Sequence, residues 1–504
     1  MIKRIFFPLL FLLLLFSGCA VSNKNYKPNK KYSRSQLQND FSLLRNILEQ
    51  KHPALYWYTP KDSMNFYFDS LNKSIADSMT ELQFGWNILA PLTQKIHCGH
   101  TSFSMSKGWN RYIANKIIPS FPLYLKVWGK GDTMVVLGNL NPKDTVFKKG
   151  TIITAINGLT NHEMVAKMFQ YLSLDGYADN VNYIRISSNF PFYHRNAFGL
   201  YKNYRVDYLD SAGNAQKILL PMFIPEADSL IKKNKLPPGN GLTQRQIKKE
   251  RRDAFRSLHI DSSNNTALLT LNTFDNGEGK HLRPFIKRSF KHLAQQHIKN
   301  LILDLRSNGG GDINMSVLLT KYLRNSNFKV ADSSYAMAAS FRPFTKYITQ
   351  GRLSNIGLAF VTKKHKDGFI HFGYWERHIF HPRKKYHFDG KVYVLINGLT
   401  FSASTIFCNA VKGQKNIILA GEETGGGWYG NSGFLIPDIV LPVTKLRVRL
   451  PFFKIVQYNH ITKKGSGVTP DIFIAPTVEG VKRGKDRKME LVKDLIKKDN
   501  LSSL

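Results

Sequence analysis

Short buried strands alternate with helices along the second half of the chain, from about residue 265. The runs TALLTLNTF, NLILDL (300–305) and VYVLIN (392–397) are as apolar as strands that are covered on both faces. Helices are predicted between and after them, over 280–298, 313–324 and 402–411. This alternation predicts an α/β core.

Composition limits the class of protein. Of 504 residues, 42% are hydrophobic and 12% aromatic, which is enough for packed cores and excludes wholesale disorder. The formal net charge is +37, with basic clusters at 246–256 and 482–498, but no nucleic-acid-binding motif accompanies it. Attraction to anionic envelope lipids and a merely solvated basic surface both remain open. Three cysteines exclude a disulfide scaffold.

The N-terminus has the pattern of a targeting signal. Lys3 and Arg4 precede an apolar run, 5–16, which is short for a spanning helix. The run ends in Phe-Ser-Gly-Cys at 16–19, which resembles a bacterial lipobox and predicts lipidation of Cys19. A simple secretory signal with an incidental cysteine is the alternative. We expect a cell-envelope lipoprotein of a Gram-negative-type bacterium that faces the periplasm, and no polytopic membrane protein.

Changes in composition and in predicted secondary structure along the chain predict the domain boundaries. The Lys149–Gly158 stretch, KGTIITAING, lies in a β-rich region and resembles a strand-turn element of PDZ domains, which bind peptide C-termini by strand addition. A helical unit before it carries two capping-box patterns and the motif IHCGHT (96–101). The predicted segments are a signal peptide (1–18), a tether (19–31), a helical unit (32–117), a PDZ-like domain (118–222), a basic linker (223–258), an α/β core (259–476) and a basic tail (477–504).

Two loops of the core are candidate reactive sites. Gly309, Gly310 and Gly311 follow a buried strand, and a sharp turn there exposes backbone N–H groups that could stabilise an oxyanion. Ser402 and Ser404 open a predicted helix, where a hydroxyl lies near the positive end of the helix dipole. Each pattern alone is also typical of an ordinary turn or of an N-cap.

The motif IHCGHT offers a base, a thiol or a metal ligand. A zinc site would need a second ligand pair, which the sequence lacks, and a catalytic thiol at Cys98 has little support. A structural loop and a general base are the remaining interpretations. Cys98 and Cys408 could be paired or reduced. Nothing in the sequence calls for a cofactor.

Together the motifs resemble the tail-specific (C-terminal processing) serine peptidases. The matching segments are NLILDLRSNGGG, VYVLINGLTFSAST, NIILAGEETGGG and GVTPDI (467–472). The resemblance implies a crotonase-like (ClpP-like), β-rich α/β core with a PDZ-like domain, and cleavage of protein or peptide substrates, often through their C-termini. It assigns Ser402 as nucleophile and the N–H groups of Ala403 and Gly310 as the oxyanion hole.

The sequence departs from the family pattern at the base. The bacterial branch has a lysine twenty-five residues after the nucleophile, where this chain has Gly427. The tricorn-like branch uses a histidine, which His100 matches, so the resemblance favours a Ser402/His100 pair. That branch orients its histidine with a glutamate whose place Lys464 takes here. Three carboxylates are candidate replacements, with Glu422 favoured over Glu423 and Asp471.

Three functions follow from these patterns. The first is an envelope-anchored serine endopeptidase that acts on protein or peptide substrates, with no nucleic acid as partner. The second is a catalytically inactive lipoprotein that binds peptide tails, because both the lysine and the glutamate positions are altered. The third is a hydrolase of non-peptide acyl substrates.

Overall fold

A computed structural model describes residues 26–114, 116–129, 131–225, 243–277, 280–459, 461 and 465–502. The predicted signal peptide and Cys19 lie outside these residues. Among the described residues, no helix combines the length and hydropathy needed to cross a membrane.

The first region is helical, as predicted. Ser33 and Thr80 each form a capping box, with Gln36 and Gln83 respectively, so both predicted helix starts are confirmed. Leu37 and Phe41 lie on the buried face of the first helix. The elements are β1 (Lys31–Ser33), α1 (Arg34–Lys51), α2 (Lys61–Lys73), β2 (Ser78–Thr80), α3 (Glu81–Phe84), a π-helical turn (Gly85–Leu89), α4 (Ala90–Lys95), β3 (Phe103–Ser104) and α5 (Lys107–Ala114).

The next region is built on an antiparallel sheet in which β7 pairs with β6 and the other strands follow the order β4-β5-β6-β8-β9. The NG turn at 157–158 joins β6 to β7, as the sequence predicts. The elements are β4 (Leu123–Trp128), β5 (Thr133–Asn139), β6 (Ile152–Ile156), β7 (Leu159–Thr160), α6 (Asn161–Phe169), α7 (Asn180–Ser188), α8 (Phe190–Phe198), β8 (Asn203–Leu209) and β9 (Ala215–Pro221).

The predicted linker, 223–258, is only partly a linker. It contains α9 (Gln244–Asp253), which a capping box at Thr243 starts. It also contains the beginning of β10 (Arg256–Asp261), which pairs with β11 (Thr266–Leu271) as the antiparallel edge of the core sheet. The α/β core therefore begins at β10, because β10 pairs with β11. The basic composition of this segment does not predict that boundary.

The α/β core is confirmed. Its main sheet has the order β10-β11-β12-β16-β17-β22, and every pair except the first is parallel. The elements are α10 (Leu282–Gln295), β12 (Asn300–Asp304), α11 (Ile313–Leu323), β16 (Lys391–Ile396), α14 (Ala403–Val411), β17 (Ile417–Gly421) and β22 (Ile472–Phe473). Each predicted helix of this sheet is found within a few residues of its expected bounds.

A second core sheet has the order β14-β15-β13-β21-β18, and a three-stranded sheet, β19-β20-β3, joins the core to the helical region. The elements are β13 (Ala331–Ala336), α12 (Gly351–Val361), β14 (Lys363–Lys364), β15 (Ile370–His371), α13 (Gly373–Arg377), β18 (Gly430–Gly433), β19 (Asp438–Val440), β20 (Arg447–Arg449) and β21 (Phe453–Gln457), with 3-10 turns at 262–264 and 345–347.

The predicted basic tail, 477–504, packs on the core over its described residues, 477–502. It forms α15 (Val478–Arg483) and α16 (Arg487–Ser502). Val492 and Ile496 are buried against Ile302 and Leu395 of the main sheet. Widely spaced apolar residues among many lysines were enough to bury one face of α16, although the segment as a whole is strongly basic.

Candidate active site

Ser402 lies between strand β16 and helix α14 in a strained backbone conformation. Its φ is 55° and its ψ −121°, a region that a residue with a side chain rarely adopts. It occupies the N-cap position of α14, yet its side chain makes no capping hydrogen bond. The capping interpretation therefore fails, and the hydroxyl stays available for chemistry. Ser404 is fully buried inside the helix, in agreement with a packing role.

Gly310 lies directly against Ser402. Its φ is +97°, and a Cβ there would lie 2.7 Å from the Cβ of Ser402, so only glycine fits. Its N–H, however, donates to Oδ1 of the buried Asn308 at 3.0 Å. This bond competes with the expected oxyanion role of Gly310, which stays a prediction. Asn308 is a residue that sequence reasoning missed.

The other predicted oxyanion donor, Ala403, and the neighbouring Gly311 also offer backbone N–H groups beside Ser402. Ala403 is the first residue of α14, a position whose N–H has no acceptor within the helix. Gly311, with φ +137°, lines the same cavity as Ser402 and Ala403. Backbone N–H groups in such a place can stabilise negative charge that develops on a bound carbonyl oxygen.

The serine opens into a cavity of about 330 Å³. Its apolar wall includes Trp375, Ile406, Phe434 and Ile455, and Asp312, Asn314 and Asn431 add polar groups. A cavity with apolar walls and a few polar groups at one end is typical of a site that holds an apolar side chain in a fixed orientation.

His100 reaches the same place from the helical region. Its ring packs on the ring of Phe401, with centroids 4.8 Å apart, so it lies beside the residue that precedes the serine. It is only 6% exposed, and its Nδ1 has no hydrogen-bond partner among the described residues. Burial, with the positive charges of Arg449 and Arg185, lowers the pKa of His100 to about 3. The imidazole is therefore neutral at physiological pH.

The loop that carries His100 is held by a second loop from the β-rich region. The Gly176 N–H donates to the His97 carbonyl at 3.0 Å, and His97 Nδ1 lies 2.7 Å from the Gly176 carbonyl. The Gly99 N–H donates to Asp175 Oδ1 at 2.6 Å. His97 thus anchors the loop backbone and takes no place at the serine.

Asp175 is the second functional residue that the sequence analysis missed. It is buried, and its other oxygen lies 3.4 Å from the Gly427 nitrogen. Burial raises its pKa to about 7, against the opposing effect of the hydrogen bonds from Gly99 and Gly427. No local pattern could have found it, because its partners come from two distant segments.

None of the candidate third members is bonded to His100. Glu422 is ion-paired with Lys488 of α16. Asp471 accepts from Lys412 at 2.7 Å and from the Leu419 N–H at 2.8 Å. The structure thus gives both carboxylates other partners, and the expected orienting role of Glu422 has no contact to support it.

The other positions that the family resemblance singled out are Glu423, Lys464 and Gly427. Glu423 accepts from the Gly467 N–H, and burial raises its pKa. Lys464 lies outside the described residues. At Gly427, a Cβ would lie 2.4 Å from the Gly430 carbonyl oxygen, so a lysine cannot occupy that position in this backbone.

The thiols are not part of the site. Cys98 and Cys408 are both free and buried, so the open question of a disulfide is answered. Burial raises the pKa of Cys98 to about 11, which keeps it protonated. Among the described residues no group of three or more His, Cys, Asp or Glu could hold a metal ion.

The edge of the β-rich sheet bears on the predicted strand addition. Strand β4 lies at that edge, and helix α7 packs along it. The Val127 N–H donates to Ser187 Oγ at 2.8 Å. A peptide strand could not pair with β4 at Val127 unless Ser187 were displaced, which is an obstacle to the binding mode that the PDZ-like motif predicts.

Comparisons with known proteins agree with this fold. Residues 265–474 match the profile of peptidase family S41. The crystal structure of mature CPAF is 14% identical, with a TM-score of 0.61, and covers 92% of this chain and 98% of CPAF. Mature CPAF complexed with lactacystin is 13% identical, with the same TM-score and coverage. No curated protein matched in a sequence search.

The β-rich α/β core with a glycine turn against a strained serine defines a serine-type peptidase domain. Residues 265–474 therefore form a domain of peptidase family S41. The expected family and fold class are confirmed.

Proposed function

We propose that this protein is an envelope-anchored serine endopeptidase in which Ser402 attacks the scissile carbonyl. The observation that carries the proposal is the strained Ser402 backbone, which holds a hydroxyl free of capping in the wall of a cavity that has apolar side chains. Such strain is retained where the surrounding structure over-determines it, which is common at nucleophiles.

In the proposed mechanism, His100 removes the Ser402 proton as the hydroxyl oxygen forms a bond to the carbonyl carbon. The N–H groups of Ala403 and Gly311 stabilise the oxyanion, and the imidazolium then gives its proton to the leaving amine. A neutral imidazole is the form that a general base requires, and burial with Arg449 keeps His100 in that form.

To act as the base, His100 must move closer to Ser402, because no hydrogen bond joins the two side chains among the described residues. Catalytic hydrogen bonds are often long in free enzymes and tighten when the substrate binds. The imidazolium would form beside two arginines without a carboxylate on Nδ1, which makes this base weaker than one in a complete triad.

The alternative is a catalytically inactive lipoprotein that binds peptide tails. The observation in its favour is the orphaned Nδ1 of His100, whose orienting carboxylate is absent from the described residues. Both functions share the expected lipid anchor at Cys19 and a location in the cell envelope.

One experiment separates the two functions. The purified protein is incubated with an unfolded protein substrate and, in parallel, with a fluorophosphonate probe. A peptidase cleaves the substrate and is labelled at Ser402, and Ser402→Ala abolishes both signals while Ser404→Ala keeps them. A parent protein that neither cleaves nor becomes labelled would leave the peptide-binding function. Hydrolysis of small esters without cleavage of proteins would point to a non-peptide acyl substrate.

A further inference from the structure

A second cavity, larger than the one at Ser402, has a volume of about 780 Å³ and lies against the His100 loop. Helical-region residues, the loop after α6, helices α7 and α8, and strand β20 form its walls. Trp86 packs edge-on against three further aromatic rings, with centroids 5.4 to 5.8 Å apart. The aromatic residues that line the cavity are Trp86, Phe103, Trp109, Tyr171, Phe192 and Tyr193.

The charged residues that line this cavity are all arginines. They are Arg185, Arg195, Arg447 and Arg449, and no described Asp or Glu lines it. Among the described residues, Arg447 is ion-paired with Asp438 at 3.2 Å, and the charge of Asp175 acts on Arg185 without an ion-pair contact. Arginines that face a cavity without carboxylates make it complementary to an anionic ligand.

The two arginines of the α7–α8 segment are held only by neutral oxygens. Arg185 donates to the Ser173 carbonyl at 2.6 Å and to the Asn182 side chain at 3.1 Å, and Arg195 donates to the Pro119 carbonyl at 3.3 Å. Burial lowers the pKa of Arg185 and of Arg195, and the charge of the buried Asp175 opposes this shift only in part at Arg185. A bound carboxylate would supply that compensation.

The cavity adjoins the proposed base. Gly99 and Ser102, on either side of His100 in sequence, line it. The Arg449 N–H donates to the Ser102 carbonyl at 2.9 Å, which fixes strand β20 to the same loop. A ligand in this cavity would therefore contact the segment that positions His100.

We propose that this cavity binds the C-terminal end of a peptide, with Arg185, Arg195 and Arg449 around the terminal carboxylate and the aromatic walls around the last apolar side chains. Arginine matches a carboxylate with two parallel hydrogen bonds, and aromatic walls bury apolar groups. The proposal rests on the proposed function, since it names where such a protein holds a substrate's tail. It also places that tail away from the β4 edge, which Ser187 occupies.

The test measures binding in the full chain carrying Ser402→Ala, so that no peptide is consumed. An N-terminally fluorescent decapeptide ending in Leu-Phe is offered as the free acid and as the C-terminal amide, and anisotropy reports binding. We expect the free acid to bind at least about tenfold more tightly, because charge-assisted hydrogen bonds are about twice as strong as neutral ones. Arg449→Gln and Arg195→Gln should each bring the acid close to the amide and leave the amide unchanged.

Arg205→Gln is the matched control, because Arg205 lies exposed on strand β8 and does not line the cavity. Arg449→Lys tests the geometry, since it keeps the charge and loses the planar fork, and it should lose part of the affinity. A thermal melt of each variant shows that it is folded.

Equal binding of acid and amide by folded Ser402→Ala protein would overturn the proposal, as would an equal effect of Arg205→Gln. Saturable binding of dodecanoate without a preference for the free-acid peptide would also overturn it and assign the cavity to a fatty anion. Cleavage by the parent protein is read separately. Cleavage with no acid preference contradicts the tail site alone, and an acid preference without cleavage or probe labelling contradicts the peptidase alone.

Discussion

The ring of His100 packs on the ring of Phe401, so the proposed base is held beside the residue that precedes the proposed nucleophile. This contact joins the helical region to the turn between β16 and α14. A Cβ at Gly99 would also lie 2.6 Å from the Phe401 ring, so the histidine loop approaches that ring too closely for any side chain at that position. The position of His100 thus depends on a glycine and an aromatic ring from two distant parts of the chain.

Replacing either member of the Ser402/His100 pair should abolish peptidase activity. Ser402→Ala and His100→Ala should each lower kcat by about 10⁴-fold or more, and the double variant should be no worse, because members of such a unit are not additive. Cleavage of an unfolded protein by purified, folded variants measures this. If His100→Ala cleaved as fast as the parent while Ser402→Ala did not, the base would lie elsewhere.

The close contact at Gly310 gives a sharp pair of variants. Gly310→Ala places a methyl group 2.7 Å from the Ser402 Cβ at a backbone φ of +97°, so it should displace the serine and lower kcat strongly. Gly309→Ala is the matched control, because a Cβ there meets nothing within 4 Å. Equal activity of the two alanine variants would contradict the proposed role of this contact.

The pH dependence of activity follows from the pKa of His100. Because that pKa is lowered to about 3, the imidazole stays in its basic form as pH falls from 8 to 5. We expect kcat/KM to stay nearly flat over this range, with no decline centred near pH 6.5, the ordinary value for histidine. Samples returned from pH 5 to pH 7.5 should regain full activity, which separates ionisation from unfolding. A midpoint near 6.5 would place His100 in a solvated environment.

Asp175 should affect stability with a defined sign. Its pKa is raised to about 7 in the folded protein, so its contribution to the free energy of unfolding is full below about pH 4 and is lost as pH rises through 7. Asp175→Asn cannot ionise and keeps an acceptor for the Gly99 N–H. In thermal unfolding, the stability of Asp175→Asn relative to the parent should therefore increase as the pH rises from 5 to 8.

Asp175→Ala is the contrasting variant. It leaves the Gly99 N–H without its acceptor, which should cost about 1–3 kcal/mol of stability and loosen the His100 loop.

The outcome for Asp175→Asn decides whether the pKa of Asp175 is raised. The stability difference between the parent and Asp175→Asn should change with pH, whereas a constant difference from pH 5 to 8 would mean that Asp175 titrates normally.

Lipid anchoring at Cys19 remains a prediction from sequence. Cys19→Ala should move the protein from the membrane fraction to the soluble fraction or leave it unprocessed, because acyl chains on that thiol supply the membrane affinity. Fractionation and labelling with radioactive palmitate measure this. Unchanged partitioning, together with no palmitate on the native protein, would contradict it.

The sequence determined the local elements of this protein. Ser33 and Thr80 started helices because their side chains accept from N–H groups three residues ahead. The buried strands and the helix after Ser402 were predictable because hydrophobic periodicity reports which face of a local element is covered. The glycine turn and Ser402 were located by their places after buried strands, and the resemblance to the tail-specific serine peptidases gave them their expected roles.

Only the tertiary structure decided the partners of these groups. Lys488 pairs with Glu422, and helix α7 covers the edge of strand β4. Asp175 became a support of the histidine loop through contacts with segments far away in sequence. The partner of each of these groups depends on which distant segment packs within hydrogen-bonding distance, and no local sequence pattern predicts that.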